Sequence, residues 1–157
     1  MDSTFAPSSY EIERGKPLPS KNHAIIQANL LLAIQPKYAS KFRMLPEINL
    51  DLPEHDRVPD LAIYASVEFT PGADEVRMTE VPLSVIEILS PQQSMTDLMV
   101  KRGEYFKAGV QSYWLVLPDL LSIYVFYSPE EYDVYTRQDL LKDKTLEIEV
   151  PLGEIFK

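Results

Sequence analysis

At 157 residues, 45% of them hydrophobic and 25% charged, the chain has the size and balance of one globular domain, able to bury roughly two thirds of its unfolded surface. The absence of cysteine excludes disulfides and thiolate metal sites and fits a reducing, cytoplasmic setting. A formal net charge of −9 argues against strong non-specific nucleic-acid binding, which depends on Lys and Arg neutralising phosphates.

Residues 1–9 read as a flexible terminus ahead of a single domain over 10–157, and their composition predicts no signal peptide. Residues 10–15 (YEIERG) read as a short strand ending in a turn at Gly15. Ser20 is a helix N-cap, and Ile25, Ile26, Asn29, Leu30, Ala33 and Ile34 form the stripe of an amphipathic helix closed by Pro36. That apolar run is too short to span a bilayer, so no membrane partner is expected. His23, near the helix start, reads as a surface or capping residue. Residues 42–52 alternate as a strand, and Asp60 heads another that runs to about residue 65.

After a polar loop containing Pro71 and Gly72, residues 81–90 (VPLSVIEILS) read as a buried strand with Glu87 in its middle. Ser94 and Asp97 make a variant of the capping box for a helix that ends at Gly109. Residues 112–118 and 121–127 form a hairpin across Pro118 and Asp119, with Trp114 in the core. Shorter strands near 133–136 and 146–150 close the chain. The expected fold is α/β (α+β), a mixed β-sheet flanked by two main helices.

Glu87 carries the chemistry. A carboxylate on a buried strand must hold a proton, face a cation or bind a metal. Residues two apart share a strand face, so Val85, Glu87 and Leu89 point one way and Ile86 and Ile88 the other. Asp60 and Glu87 converge if their strands are neighbours. Their oxygens, with the Ile88 carbonyl as third ligand, suit a hard ion such as Mg²⁺ or Mn²⁺. The alternative is that Asp60 ends a turn while Glu87 pairs with a basic residue across the sheet. Asp97, Lys101 and Tyr105 lie at i, i+4 and i+8 on one helix face, which could aim Lys101 at the same place or leave it in a surface pair with Asp97. Glu11 could complete the carboxylate cluster or lie on a solvated strand face.

These residues carry a resemblance. VPDL at 58–61, VIEILSP at 85–91, DLMVKRGEYFKAGV at 97–110, YWLV at 113–116 and YEIERGK at 10–16 resemble, in that order, segments of the Uma-two family of putative restriction endonucleases. The likeness runs over nearly the whole chain. It implies a restriction-endonuclease-like fold of the PD-(D/E)xK superfamily, with Asp60 and Glu87 as metal ligands. Where the superfamily places its lysine, this chain has Leu89. The family arrangement implies that the following helix supplies the lysine, which makes Lys101 the candidate. Where the family tends to show Ile-Asp-Gly-Glu, this chain has Ile12-Glu13-Arg14-Gly15-Lys16, and the loop before Glu80 is short.

The function so implied is a Mg²⁺- or Mn²⁺-dependent DNA endonuclease. Asp60 and Glu87 would hold the ion, Lys101 would stabilise the transition state or orient water, Glu11 would bind through water, and Gln92 or Gln93 could help place the water. A catalytically silent nuclease fold acting as a dimeric interaction module is the alternative. It is favoured by the acidic charge and Leu89, and by Tyr124, Phe126 and Tyr127 as a possible homodimer surface. Hydrolysis of a smaller phosphodiester is a third reading.

Overall fold

The computed structural model describes residues 6–14 and 16–157. The flexible terminus expected over 1–9 falls largely outside them, as does the turn expected at Gly15. Where the sequence suggested a first strand there is a helix, α1 (Ser9–Arg14). The local reason is a capping box: the Ser8 N–H donates to Glu11 Oε2 at 2.6 Å and the Glu11 N–H to Ser8 Oγ at 3.2 Å. Those two bonds satisfy helix-start donors that a strand would have to satisfy by pairing.

Ser20 caps α2 (Lys21–Tyr38) as expected, its side chain accepting from the His23 N–H. His23, Ile26, Leu30 and Ile34 are its buried residues, at the spacing of a single helical stripe. Pro36 does not close the helix but sits inside its last turn. The segment expected as one strand over 42–52 splits into β1 (Arg43–Pro46) and β2 (Asn49–Leu50). Between them Glu47 takes a left-handed φ of 57°, which an extended strand cannot contain.

Next come β3 (Leu61–Tyr64), β4 (Arg77–Met78), β5 (Ser84–Ile88) and α3 (Met95–Ala108). The hairpin of β6 (Ser112–Leu117) and β7 (Ser122–Phe126) follows, and then β8 (Tyr132–Thr136), β9 (Leu140–Asp143) and β10 (Ile148–Pro151). The main sheet has the order β1-β3-β5-β6-β7-β8. Only β5 and β6 run parallel in it. A parallel pair needs a crossover, and α3 supplies it.

The sheet is covered on both faces, which explains why β3, β5 and β6 are buried along their whole length. On one face Ile86, Ile88, Trp114 and Val116 pack with Ile26, Leu30 and Ile34 of α2 and with Leu141, Ile148 and Val150 of the β9–β10 ribbon. Val85, Tyr113 and Leu115 pack on the other face with Leu98 and Tyr105 of α3. Trp114 is a core residue whose Nε1 donates to Asp143 at 2.8 Å. Phe126, read from the sequence as part of an exposed aromatic strand, is only 2% exposed, because its ring packs into the α3-side core against Tyr113 and under Arg102. Tyr132 on β8 is instead the half-exposed aromatic at that edge of the sheet. Among the described residues, no helix is long and apolar enough to cross a membrane.

Candidate active site

The antiparallel register of β3 and β5 pairs Leu61 with Ile86, so one step further brings Asp60 level with Glu87. Two carboxylates expected to converge do so at the mouth of the neighbouring strands β3 and β5. The Ile88 N–H donates to Asp60 Oδ2 at 2.7 Å. The Leu89 N–H donates the other way, to the Val116 carbonyl on β6. Since successive strand residues alternate their peptide groups between edges, the Ile88 carbonyl faces the β3 side with its N–H. Asp60, Glu87 and the Ile88 peptide thus lie together.

Two elements meet the carboxylates from opposite sides. From α3, Lys101 Nζ lies 3.4 Å from Glu87 Oε2, and the Tyr105 hydroxyl donates to Glu87 Oε1 at 3.3 Å. Asp97, on the same helix, stays at the amino-terminal cap, where its carboxylate accepts from the Ser94 N–H. Beyond Lys101, Arg57 makes a two-pronged bond to Glu104 at 2.6 and 2.9 Å.

From the other side come residues that sequence reasoning did not place here. His23 is buried, and its Nε2 lies 2.9 Å from Asp60 Oδ1, which corrects the surface or capping role expected of it. Lys16 Nζ donates to the same oxygen at 2.8 Å and to the Val58 carbonyl at 3.1 Å, and lies 3.2 Å from Glu47 Oε2. Gln27, one turn beyond His23, donates to the Asp60 carbonyl at 2.8 Å. The available signal was the Ser20 cap: it sets the phase of α2, and that phase puts His23 on the same stripe as Ile26 and Leu30.

Glu11 lies elsewhere. Its carboxylate oxygens accept from the Ser8 and Leu18 N–H groups, at 2.6 and 2.8 Å, and backbone donation from Leu18 and Ser8 holds it below the usual carboxylate range. Gln93 accepts from Ser90 through Oε1 and lines a crevice with Lys16, His23 and Asp60. Ser90 and Gln93 also line a cavity of about 410 Å³. Gln92 is exposed.

Burial pushes the Glu87 carboxyl up, and the neighbouring Asp60 charge pushes it further against the pull of Lys101 and Lys16. Burial also acts upward on Asp60, but the His23 hydrogen bond and the Lys16 charge outweigh it and hold Asp60 below its ordinary value. The Tyr105 hydroxyl is raised well above the phenol range by burial and by Glu87, so it stays a donor. One carboxylate is therefore firmly ionised, while the other gains from any added positive charge.

Among the described residues, no group of three or more His, Cys, Asp or Glu could hold a metal ion. The donor set is two carboxylates and a backbone carbonyl. Those are hard oxygens, and they suit Mg²⁺ or Mn²⁺ with water completing the shell. Glu87 is almost completely buried and is met by Lys101 at 3.4 Å and Tyr105 at 3.3 Å, a placement that calls for a proton or further positive charge.

The Uma2 family, described as "Putative restriction endonuclease", matches residues 8–154. The crystal structure of a putative nuclease belonging to DUF820 from Anabaena variabilis ATCC 29413 is similar to this chain, with a TM-score of 0.77 and 24% identity. The likeness covers 89% of this chain and 83% of that one, and it shows a shared fold. Among curated proteins, none matches.

Proposed function

This chain belongs to the Uma2 family of putative restriction endonucleases, and from that premise we propose that it is a divalent-metal-dependent endodeoxyribonuclease of the PD-(D/E)xK type. The observation that supports this most is the meeting of Asp60, Glu87 and the Ile88 peptide at one register step, with Lys101 reaching in from α3. In this reading Asp60, Glu87 and the Ile88 carbonyl hold Mg²⁺ or Mn²⁺. Such an ion supplies a low-pKa water and neutralises charge on the phosphoryl oxygens.

The chain's own residues do the rest. Leu89, at the superfamily's lysine position, packs into the α3-side core. Lys101 replaces it as the cation that neutralises the scissile phosphate or holds the attacking water. Tyr105 donates to Glu87 and so fixes the face it presents. DNA is the substrate in this reading, and a few local cations, not the overall charge, provide its grip.

A second reading has its own observation. Lys16 and His23 on Asp60, and Lys101 on Glu87, give each carboxylate a protein partner, as expected of a silent nuclease fold kept as a dimeric interaction module.

Cleavage of supercoiled plasmid and of short DNA substrates in Mg²⁺ or Mn²⁺ separates the two readings. Wild type is expected to cut. Glu87→Gln is expected to lose detectable cleavage with an unchanged circular-dichroism spectrum, and Lys101→Met to lose roughly 10²–10³-fold, the usual effect of deleting one preorganised electrostatic group. Undiminished cleavage by Glu87→Gln would sink the mechanism. An inactive wild type would favour the silent module.

A further inference from the structure

Asp60 has two oxygens, each with room for two hydrogen-bond donors or one donor and a cation. Oδ1 is full: it accepts from Lys16 Nζ at 2.8 Å and meets His23 Nε2 at 2.9 Å. Oδ2 accepts one bond, from the Ile88 N–H. That leaves Oδ2, beside the Ile88 peptide, one lone pair for a cation.

We propose that His23 and Lys16 are positioning residues that grip Asp60 Oδ1 together and thereby present Oδ2 to the cation. The inference rests on the metal-dependent reading above and adds two residues to it, both from the segment ahead of the sheet. The grip is built on a rigid element. Ser20 fixes the first turn of α2 by accepting from the His23 N–H at 3.2 Å, and Gln27 on the same helix face ties down the Asp60 carbonyl. The His23 ring is buried, so it cannot swing away without opening the core. A carboxylate only accepts, so the contact fixes the ring proton on Nε2; Nδ1 is buried and makes no hydrogen bond. Lys16 is also held from three sides, by Asp60, Val58 and Glu47. Partners of this kind behind a ligating carboxylate set its orientation, and losing one typically weakens metal binding by about 10–100-fold.

The test is Mn²⁺ affinity of the full chain, measured by isothermal titration without DNA for wild type, His23→Gln, His23→Leu and Lys16→Met. Circular dichroism confirms folding of each. Glutamine keeps a donor near the position of Nε2, whereas leucine keeps only bulk. The expected result is near-wild-type affinity for His23→Gln and a loss of about 10–100-fold for His23→Leu and Lys16→Met. If His23→Leu does not fold, the glutamine and Lys16 variants carry the test. His23→Leu or Lys16→Met binding Mn²⁺ as tightly as wild type would overturn the grip and leave the metal reading standing, as would equal losses in the glutamine and leucine variants. A wild type that binds no Mn²⁺ would overturn both.

Discussion

Asp60 and Glu87 were legible because strand grammar exposes them: each is a carboxylate at the end or in the middle of an otherwise apolar run, where solvent cannot satisfy it. His23 and Lys16 were not, because their role depends on partners 37 and 44 positions away: the Ser20 cap puts His23 on the buried stripe but names no partner for it, and nothing local marks Lys16 as buried. Asp143 is the same case. In sequence it stands in a charged stretch, yet it is 1% exposed. Its Oδ2 accepts from Ser112 Oγ and Trp114 Nε1, and its Oδ1 from the Thr145 and Leu146 N–H groups. It ties the β9 end to the central strand. Asp143→Ala should therefore strand two buried donors, Trp114 Nε1 and the Leu146 N–H, and cost at least about 2 kcal/mol, read as a lower urea midpoint. A loss of under 1 kcal/mol would mean that water replaces the carboxylate at that site.

Among the elements, α3, with a chemical signal at each end, was read correctly, whereas in α2 the Ser20 start held and the Pro36 stop did not. The Ser94–Asp97 box forms with both of its bonds, and Gly109 ends α3 at a φ of 108°. The two-residue strands β2 and β4 carry too few residues for any periodicity to show, and β9 was hidden by its charged residues. Helix α1 was misread because YEIE alternates like a strand while the capping serine lies just upstream. The α3 stop also yields a prediction. A Cβ on Gly109 would meet no atom within 4 Å, so Gly109→Ala pays only for its left-handed backbone, about 1–2 kcal/mol. Thermal unfolding should show that loss without a change in Mn²⁺ affinity, since Lys101 and Tyr105 sit farther up the helix. A variant as stable as wild type would show that the chain relaxes out of the left-handed cap.

At the scale of the molecule, a mixed sheet covered on both faces at its centre leaves its chemistry at one end, where β3 and β5 deliver carboxylates, α3 delivers Lys101 and the start of α2 delivers His23. Under the proposed reading the net charge of −9 is compatible with that design: the acidic groups at the site would offset a cation, and a few local basic side chains would grip DNA. The central claim is that Asp60 and Glu87 hold a divalent ion, and thermal unfolding of wild type and Glu87→Gln with and without Mn²⁺ tests it with no choice of substrate. Saturation to about 100 times Kd stabilises a protein by roughly 2.7 kcal/mol, which at about 2–4 °C per kcal/mol for a chain of this size is a rise of several degrees in Tm. The account predicts that rise in wild type and its loss in Glu87→Gln. No rise in wild type, or the same rise in both, would contradict it.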